Sequence, residues 1–363
     1  MLNIETEKLN FTVGPVMMAE EIKEAGAREV PYFRTTEFSQ LMKENETYIK
    51  KLAMAKDDSR VVFLTGSGTA AMEMAVMNSF TKDDKVLVIN GGGFGQRFEE
   101  LCEIHEVPFE SILLSPGEPL EMDLLNQYDN QGFTGLLVNM HETSTGVLYD
   151  MEGISCFCKR NDMFLVVDAI SAFLADELRM GEWGIHVLIT SSQKAFALPP
   201  GMSFLILDAE AVERMERIKV QSMYFNVKDY LKNGERGQTP FTPAVGVLIQ
   251  LNLRLQKLVE MGLEKELART KELAGYFRSK LDGLPFEMFT IAPSNAVTAL
   301  TPTNGISAYH YFERLEKEYN IWVCPNGGVL SDKVFRVGHI GALEKKDYDR
   351  LLEALTELVK EES

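Results

Sequence analysis

From Arg60 onward the chain alternates short apolar runs with longer one-faced ones. VVFLTG (61–66), KVLVIN (85–90), GLLVNM (135–140), FLVVDA (164–169) and HVLITS (186–191) have the length and closing residues of buried strands, with a weaker one near FESILL (109–114). Between them, GTAAMEMAVMNSF (68–80), FGQRFEELCEIH (94–105), MDLLNQYDN (122–130) and EGISCFCKR (152–160) place apolar residues at helical spacing. Strand then helix at this interval requires crossover connections, so the spacing predicts an α/β fold with a mostly parallel central sheet.

Outside that repeat the pattern changes. The first ten residues read as a surface arm. FTVGPVMMAEEI (11–22) reads as an extended segment, a turn at Gly14-Pro15 and a helix with an acidic first turn. Residues 37–55 form an amphipathic helix with Phe38, Leu41, Met42, Tyr48, Ile49 and Leu52 on one face. After Asp208 come helices at 209–219, 243–262 and 262–284, the last two long enough to bridge a large domain to a smaller one. The tail mixes strands (286–291, 295–300, 321–325, 334–338) with helices (306–319, 345–362), an α+β appendage. The expected division is an N-terminal arm at 1–20, a large domain at 21–260, and a small C-terminal domain at 261–363 that takes in part of the N-terminal segment.

Composition narrows the partners. With 363 residues and 45% hydrophobic content the chain fills a sizeable core, and 54 acidic against 37 basic residues give −17. That charge disfavours nucleic acid and anionic membranes as partners. The opening MLNIETEKLN mixes charged and apolar residues and does not read as a secretion signal, nor does any run have the length of a membrane span. Four irregularly spaced cysteines fit a reducing, cytoplasmic setting. Cys156 and Cys158 fall in a predicted helix with no histidine near, and read as buried or semi-buried thiols rather than metal ligands.

The strand ends carry the chemistry, because in open α/β sheets ligands sit at the carboxyl edge. LTGSGTAA (64–71) ends a strand and opens a helix, so N–H groups and the helix dipole converge on an anion such as phosphate. Gly66, Gly68 and Ala71 also match a dinucleotide fingerprint. That reading needs an acid at the next strand end, where Asn90 and three glycines stand. GGGFG (91–95) sets Phe94 among glycines, either under a flat cofactor ring or as a plug at a helix start. HETSTG (141–146) offers hydroxyls to a ring oxygen or to a helix cap. FLVVDAISA delivers Asp168, and SSQKAFALPPG delivers Lys194 before a double proline. A carboxylate and an amine at neighbouring strand ends suit pyridoxal 5'-phosphate: the amine forms an imine with its aldehyde and the acid keeps the ring nitrogen protonated. The bland alternative is a buried Asp and a loop Lys with no cofactor.

VGPV, RTTEF, TGSGTAAME, GGGFGQR, HETSTGV, VVDAISA, SSQKAFALPPG and VFRVGHIG, in that order and over nearly the whole chain, resemble the class V aminotransferases of fold type I. The nearest branch is that of the serine/alanine–glyoxylate and 2-aminoethylphosphonate–pyruvate enzymes. The resemblance implies a transaminase with Lys194 as the covalent anchor and proton shuttle and Asp168 at the pyridine nitrogen. It sets Phe94 and Ile170 on the two ring faces and Thr143 by the ring hydroxyl, with Ser67, Gly68, Thr69 and Gln193 on the phosphate. A loop threonine, Thr239 in first place and Thr242 in second, would reach the phosphate of a neighbouring subunit, implying a homodimer with a shared site. Arg336 would grip the substrate carboxylate, and Gly14 and Pro15 would wall the substrate side. One motif departs from many relatives, in which a histidine stands two residues before the glutamate: Met140 holds that place here and His141 adjoins Glu142.

The implied reaction moves an amino group from a small donor, of the alanine or serine type or 2-aminoethylphosphonate, to a 2-oxo acid such as pyruvate or glyoxylate by a ping-pong scheme. A phosphonate tail wants a second basic group, for which Arg34 is a candidate. Two other activities compete: a cysteine desulfurase, with Cys324 lying 12 positions before Arg336, and a nicotinamide-dependent oxidoreductase. A catalytically dead binding module is the non-enzyme reading.

Overall fold

The computed structural model describes residues 8–362. Strands in chain order are β1 (Leu9–Asn10), β2 (Arg60–Thr65), β3 (Val86–Asn90), β4 (Phe109–Leu113), β5 (Gly135–Asn139), β6 (His141–Glu142), β7 (Val147–Leu148), β8 (Phe164–Asp168), β9 (Val187–Ser191), β10 (Met202–Leu207), β11 (Phe286–Met288), β12 (Val297–Pro302), β13 (Ile321–Trp322), β14 (Cys324–Pro325) and β15 (Phe335–Gly338). The central sheet has seven strands in the order β2-β10-β9-β8-β5-β3-β4. β10 runs antiparallel to both its neighbours, and every other pairing is parallel. Reversing once into β10 and once out of it leaves β2 pointing the same way as β9. Six strands therefore end on one edge, which carries Thr65, Asn90, Asn139, Asp168 and Ser191 at or near their ends.

The strands that read as continuous apolar runs are buried throughout, as a sheet covered on both faces requires. One face packs on helices Gly68–Ser79, Ala209–Arg217 and Val227–Gly234. The other packs on Thr36–Leu52, Met151–Arg160 and Val245–Met261. A third cluster lies in the C-terminal part, between the sheet β11-β12-β15-β14 and helices Leu263–Ser279, Ala308–Tyr319 and Lys345–Glu361. Gly262, at φ 93°, breaks the run 243–284 into two helices.

Several expectations change. Residues 8–10 are not a surface arm: Leu9 and Asn10 pair in parallel with Ile321 and Trp322, burying Leu9 in the C-terminal cluster. The expected arm at 1–7 lies outside the described residues. A strand not expected from the sequence, β10, begins two residues after Pro199-Pro200 and pairs on both sides, while the prolines themselves lie outside any strand. The predicted 321–325 strand is two: β13 pairs with β1, β14 with β15, and buried Val323 makes the turn between sheets. Cys158 is buried as expected, but Cys156, two residues along the helix and on its outer side, is exposed.

Candidate active site

Asp168 stands at the end of β8, next to Asn139 in register. Only 5% of its surface is exposed. Its Oδ1 accepts the Ile170 N–H at 2.8 Å and its Oδ2 the Asn139 Nδ2 at 2.8 Å. Burial pushes its pKa up to about 6, with those two hydrogen bonds and the charge of Lys194 pulling the other way. Among the described residues no cation touches it, so this carboxylate lacks a partner of opposite charge.

Lys194 follows β9 on the adjacent strand end. Its Nζ donates to the Val13 carbonyl at 2.5 Å. Burial lowers its pKa to about 8. The segment that meets it is Val13-Gly14-Pro15, and a Cβ on Gly14 would lie 2.8 Å from Lys194 Cδ, at φ 125°, so only glycine fits against the lysine stem. That segment is held alongside β15 by Gly338, whose N–H donates to Phe11 O at 2.7 Å. A Cβ on Gly338 would come within 2.7 Å of Thr12 O.

The β2–helix junction forms the expected cup. Ser67 precedes helix Gly68–Ser79 with no side-chain capping bond, and Ser67 and Thr69 are exposed at the helix start. Gly68 is buried beneath: a Cβ there would sit 2.4 Å from Ile170 Cδ1 and 3.4 Å from Ser191 Oγ, itself a buried hydroxyl without a partner. Phe94 is half-buried at the start of helix Gly93–Ile104, with the Arg97 guanidinium 5.1 Å from its ring centroid. Arg97 also donates to Thr69 Oγ1 at 3.2 Å, linking the cup to the aromatic ring.

Glu142 is the residue that sequence reasoning missed. Its carboxylate is fully buried; Oε2 accepts the N–H groups of Phe94 and Gly95, each at 3.1 Å, and Oε1 accepts the Ser144 N–H at 3.2 Å and the Ser144 hydroxyl. An anion at a helix N-terminus is favourable, and here it is supplied from a hairpin 47 positions along the chain. One side chain thus fixes both Phe94 and the Thr143 loop. Next to it His141 turns inward: Nδ1 meets Ser171 Oγ at 2.8 Å, which meets Thr143 Oγ1 at 2.7 Å. Burial first, then the charges of Lys194, Arg336 and Arg278, lower its pKa to about 3, so it is neutral. The displaced histidine of the motif therefore holds Thr143 through Ser171.

Arg336 reaches the crevice from β15. It is 8% exposed, donating through Nη1 to Thr143 O at 3.0 Å and through Nη2 to Pro325 O at 2.6 Å, with Nε unpartnered. Among the described residues no carboxylate pairs with it. Its only partners are carbonyls, which leaves its charge without a protein anion.

The structure brings Lys194, Asp168, Thr143, Ile170, Phe94, Ser67, Gly68, Thr69, Gln193, Arg336, Gly14 and Pro15 around one edge. Of the loop threonines, Thr239 is 5% exposed and its hydroxyl donates to Phe241 O at 2.7 Å, whereas Thr242 is exposed. Arg34 is turned to that loop, donating to Gln238 Oε1 at 3.2 Å and Thr239 O at 3.0 Å.

An open α/β sheet that presents a lysine, an aspartate and a helix N-terminus at one edge, with an arginine from a second sheet, has the architecture of the fold type I transferases. The alanine–glyoxylate aminotransferase of Nostoc sp. shares it at a TM-score of 0.93, with 23% identity over 99% of this chain and 97% of that one. The chain belongs to the class-V aminotransferases, whose family model matches residues 19–328, and its reaction class is amino-group transfer. An uncharacterized aminotransferase of Methanocaldococcus jannaschii is 31% identical over 349 residues, 94% of this chain and 90% of that protein. A serine–glyoxylate aminotransferase of Hyphomicrobium methylovorum is 29% identical over 346 residues, 92% and 85% of the two. These relatives favour neither the desulfurase nor the nicotinamide reading.

Proposed function

We propose that this transaminase uses pyridoxal 5'-phosphate to move the amino group of a small α-amino acid, of the alanine or serine type, to glyoxylate or pyruvate. The observation that carries the substrate class is Arg336, a buried cation with no protein carboxylate, set on the same edge as Lys194. An α-carboxylate completes it in two-pronged fashion.

The residues present fit the cofactor. Ser67, Gly68, Thr69 and Gln193 would hold its phosphate, with the orphaned Ser191 hydroxyl beneath Gly68. Asp168, buried and short of a cation, suits a protonated ring nitrogen, and Thr143, Phe94 and Ile170 would bound the ring. When bound, the cofactor supplies an aldehyde for attachment to Lys194 and a ring that draws electrons from the donor's α-carbon. Lys194 carries the proton: with its pKa lowered to about 8, a substantial share of its amine is neutral near pH 7–8 and accepts the α-proton. Arg336 orients that carbon by its carboxylate. Gly14 and Pro15 would wall the substrate side, with Gly14 packed against the Lys194 stem.

The same reading makes the working unit a homodimer, with Thr239 reaching across to complete the neighbouring subunit's phosphate site, and a cytoplasmic enzyme of reduced thiols. No described helix is long and apolar enough to cross a membrane. Stepwise addition tests the chemistry. Alanine or serine alone should discharge the near-visible absorbance of the loaded protein, and glyoxylate or pyruvate alone should then restore it. A protein that responds only when both are present is not a ping-pong transaminase.

A further inference from the structure

In an antiparallel pair, directly opposed residues project from the same face of the sheet. Cys324 opposes Arg336 across β14–β15, and Arg336 opposes Ala299 across β12–β15. The alternate residues Phe335 and Val337 are wholly buried in the C-terminal core, so the Cys324–Arg336 face is the one turned to the large sheet. Two contacts confirm the direction. Arg336 donates to Thr143 O, and Asn326, two residues past the cysteine, donates to Ser144 O at 3.0 Å. The thiol is half-exposed, while the arginine beside it is buried with an unpartnered Nε.

We propose that Cys324 walls the substrate site beside Arg336 and limits the size of the donor's side chain. This rests on the transaminase reading above and makes the thiol a contact surface, not a reactant. An α-amino acid held by Arg336 with its α-carbon toward Lys194 must direct its side chain into the space that remains, and a sulfur on the face shared with Arg336 takes up part of it. Small donors pass and longer ones meet the thiol.

The loaded wild-type enzyme is alkylated with iodoacetamide, with and without a saturating mixture of alanine and its oxo acid pyruvate, which fills both forms of the site, and its cysteine peptides are followed by mass spectrometry. Cys324 should label, and do so at least about tenfold more slowly with the mixture present. Cys156, exposed on its helix, should label equally in both and serves as the internal standard. Cys102 and Cys158 should stay unmodified, because both are buried; burial, with Glu99 and Glu103 nearby, pushes the Cys102 thiol up to about 12, and burial also pushes Cys158 up. In a second arm, Cys324→Ala should raise kcat/KM for 2-aminobutyrate relative to alanine by about tenfold, the worth of roughly one methylene of room. Equal labelling of Cys324 with and without the mixture, in protein whose absorbance does respond to donor, overturns the inference. So does an unchanged donor ratio, or a Cys324→Ala enzyme that loses the half-reaction altogether. An absorbance that answers to no donor overturns the proposed function and this inference with it.

Discussion

Glu142→Gln is the most informative single change outside the reacting groups. It preserves shape and removes one acceptor. In the wild type, two oxygens serve four donors: Phe94 N–H and Gly95 N–H on one, Ser144 N–H and hydroxyl on the other. A glutamine has one oxygen and one NH2, so whichever way it turns, one pair of donors faces another donor in a fully buried place. Losing two hydrogen bonds to a charged acceptor costs roughly 1.5–3 kcal/mol each, and relief of the buried charge returns part of that, leaving a net loss of about 2–4 kcal/mol. The melting temperature should fall by on the order of 5 °C. Because the same carboxylate places Phe94 and the Thr143 loop, cofactor affinity should fall too, by about tenfold to a hundredfold if 1.4–2.8 kcal/mol of preorganisation is lost. Differential scanning fluorimetry of cofactor-free protein gives the first quantity, and titration with pyridoxal phosphate followed by absorbance gives the second. A glutamine variant that melts within about 1 °C of the parent and binds cofactor as tightly would show that the carboxylate is a bystander.

Three further outcomes follow from the site. Arg336→Lys should raise KM for both amino and oxo acid by about a hundredfold while leaving cofactor attachment intact, because an ammonium cannot make the two-pronged contact. In cofactor-free protein the contribution of Asp168 to stability should fall as pH rises from about 4 to about 6. Asp168 has its folded pKa raised to about 6, so the folded state holds its proton where the unfolded chain has released it; the contribution is about 3 kcal/mol, and Asp168→Asn should abolish that slope in urea denaturation. Thr239→Ala should weaken cofactor binding several-fold, and more than Thr242→Ala does, read by titration with pyridoxal phosphate and by melting with and without cofactor.

The large-sheet repeat was legible because buried parallel strands leave unbroken apolar runs, and because each run ends in the polar or glycine residues that the edge requires. Asp168 and Lys194 could be picked out for that reason alone. β10 was not, since it follows two prolines and its partners lie elsewhere in the chain. Residues 8–10 read as an arm because two residues of strand carry no period, and their pairing partners stand at 321–322. Glu142 caps a helix from a distant loop, a role that leaves no local signal. The direction of Cys324 depends on β-register, which its apolar neighbours conceal.

The most direct test is to load the protein with pyridoxal phosphate at a series of pH values, reduce it with borohydride, digest it and weigh the peptides. The adduct should sit on Lys194, and its yield should climb through pH about 8, where burial leaves that amine half neutral. An adduct on any other lysine, or none on the peptide that carries Lys194, contradicts the account.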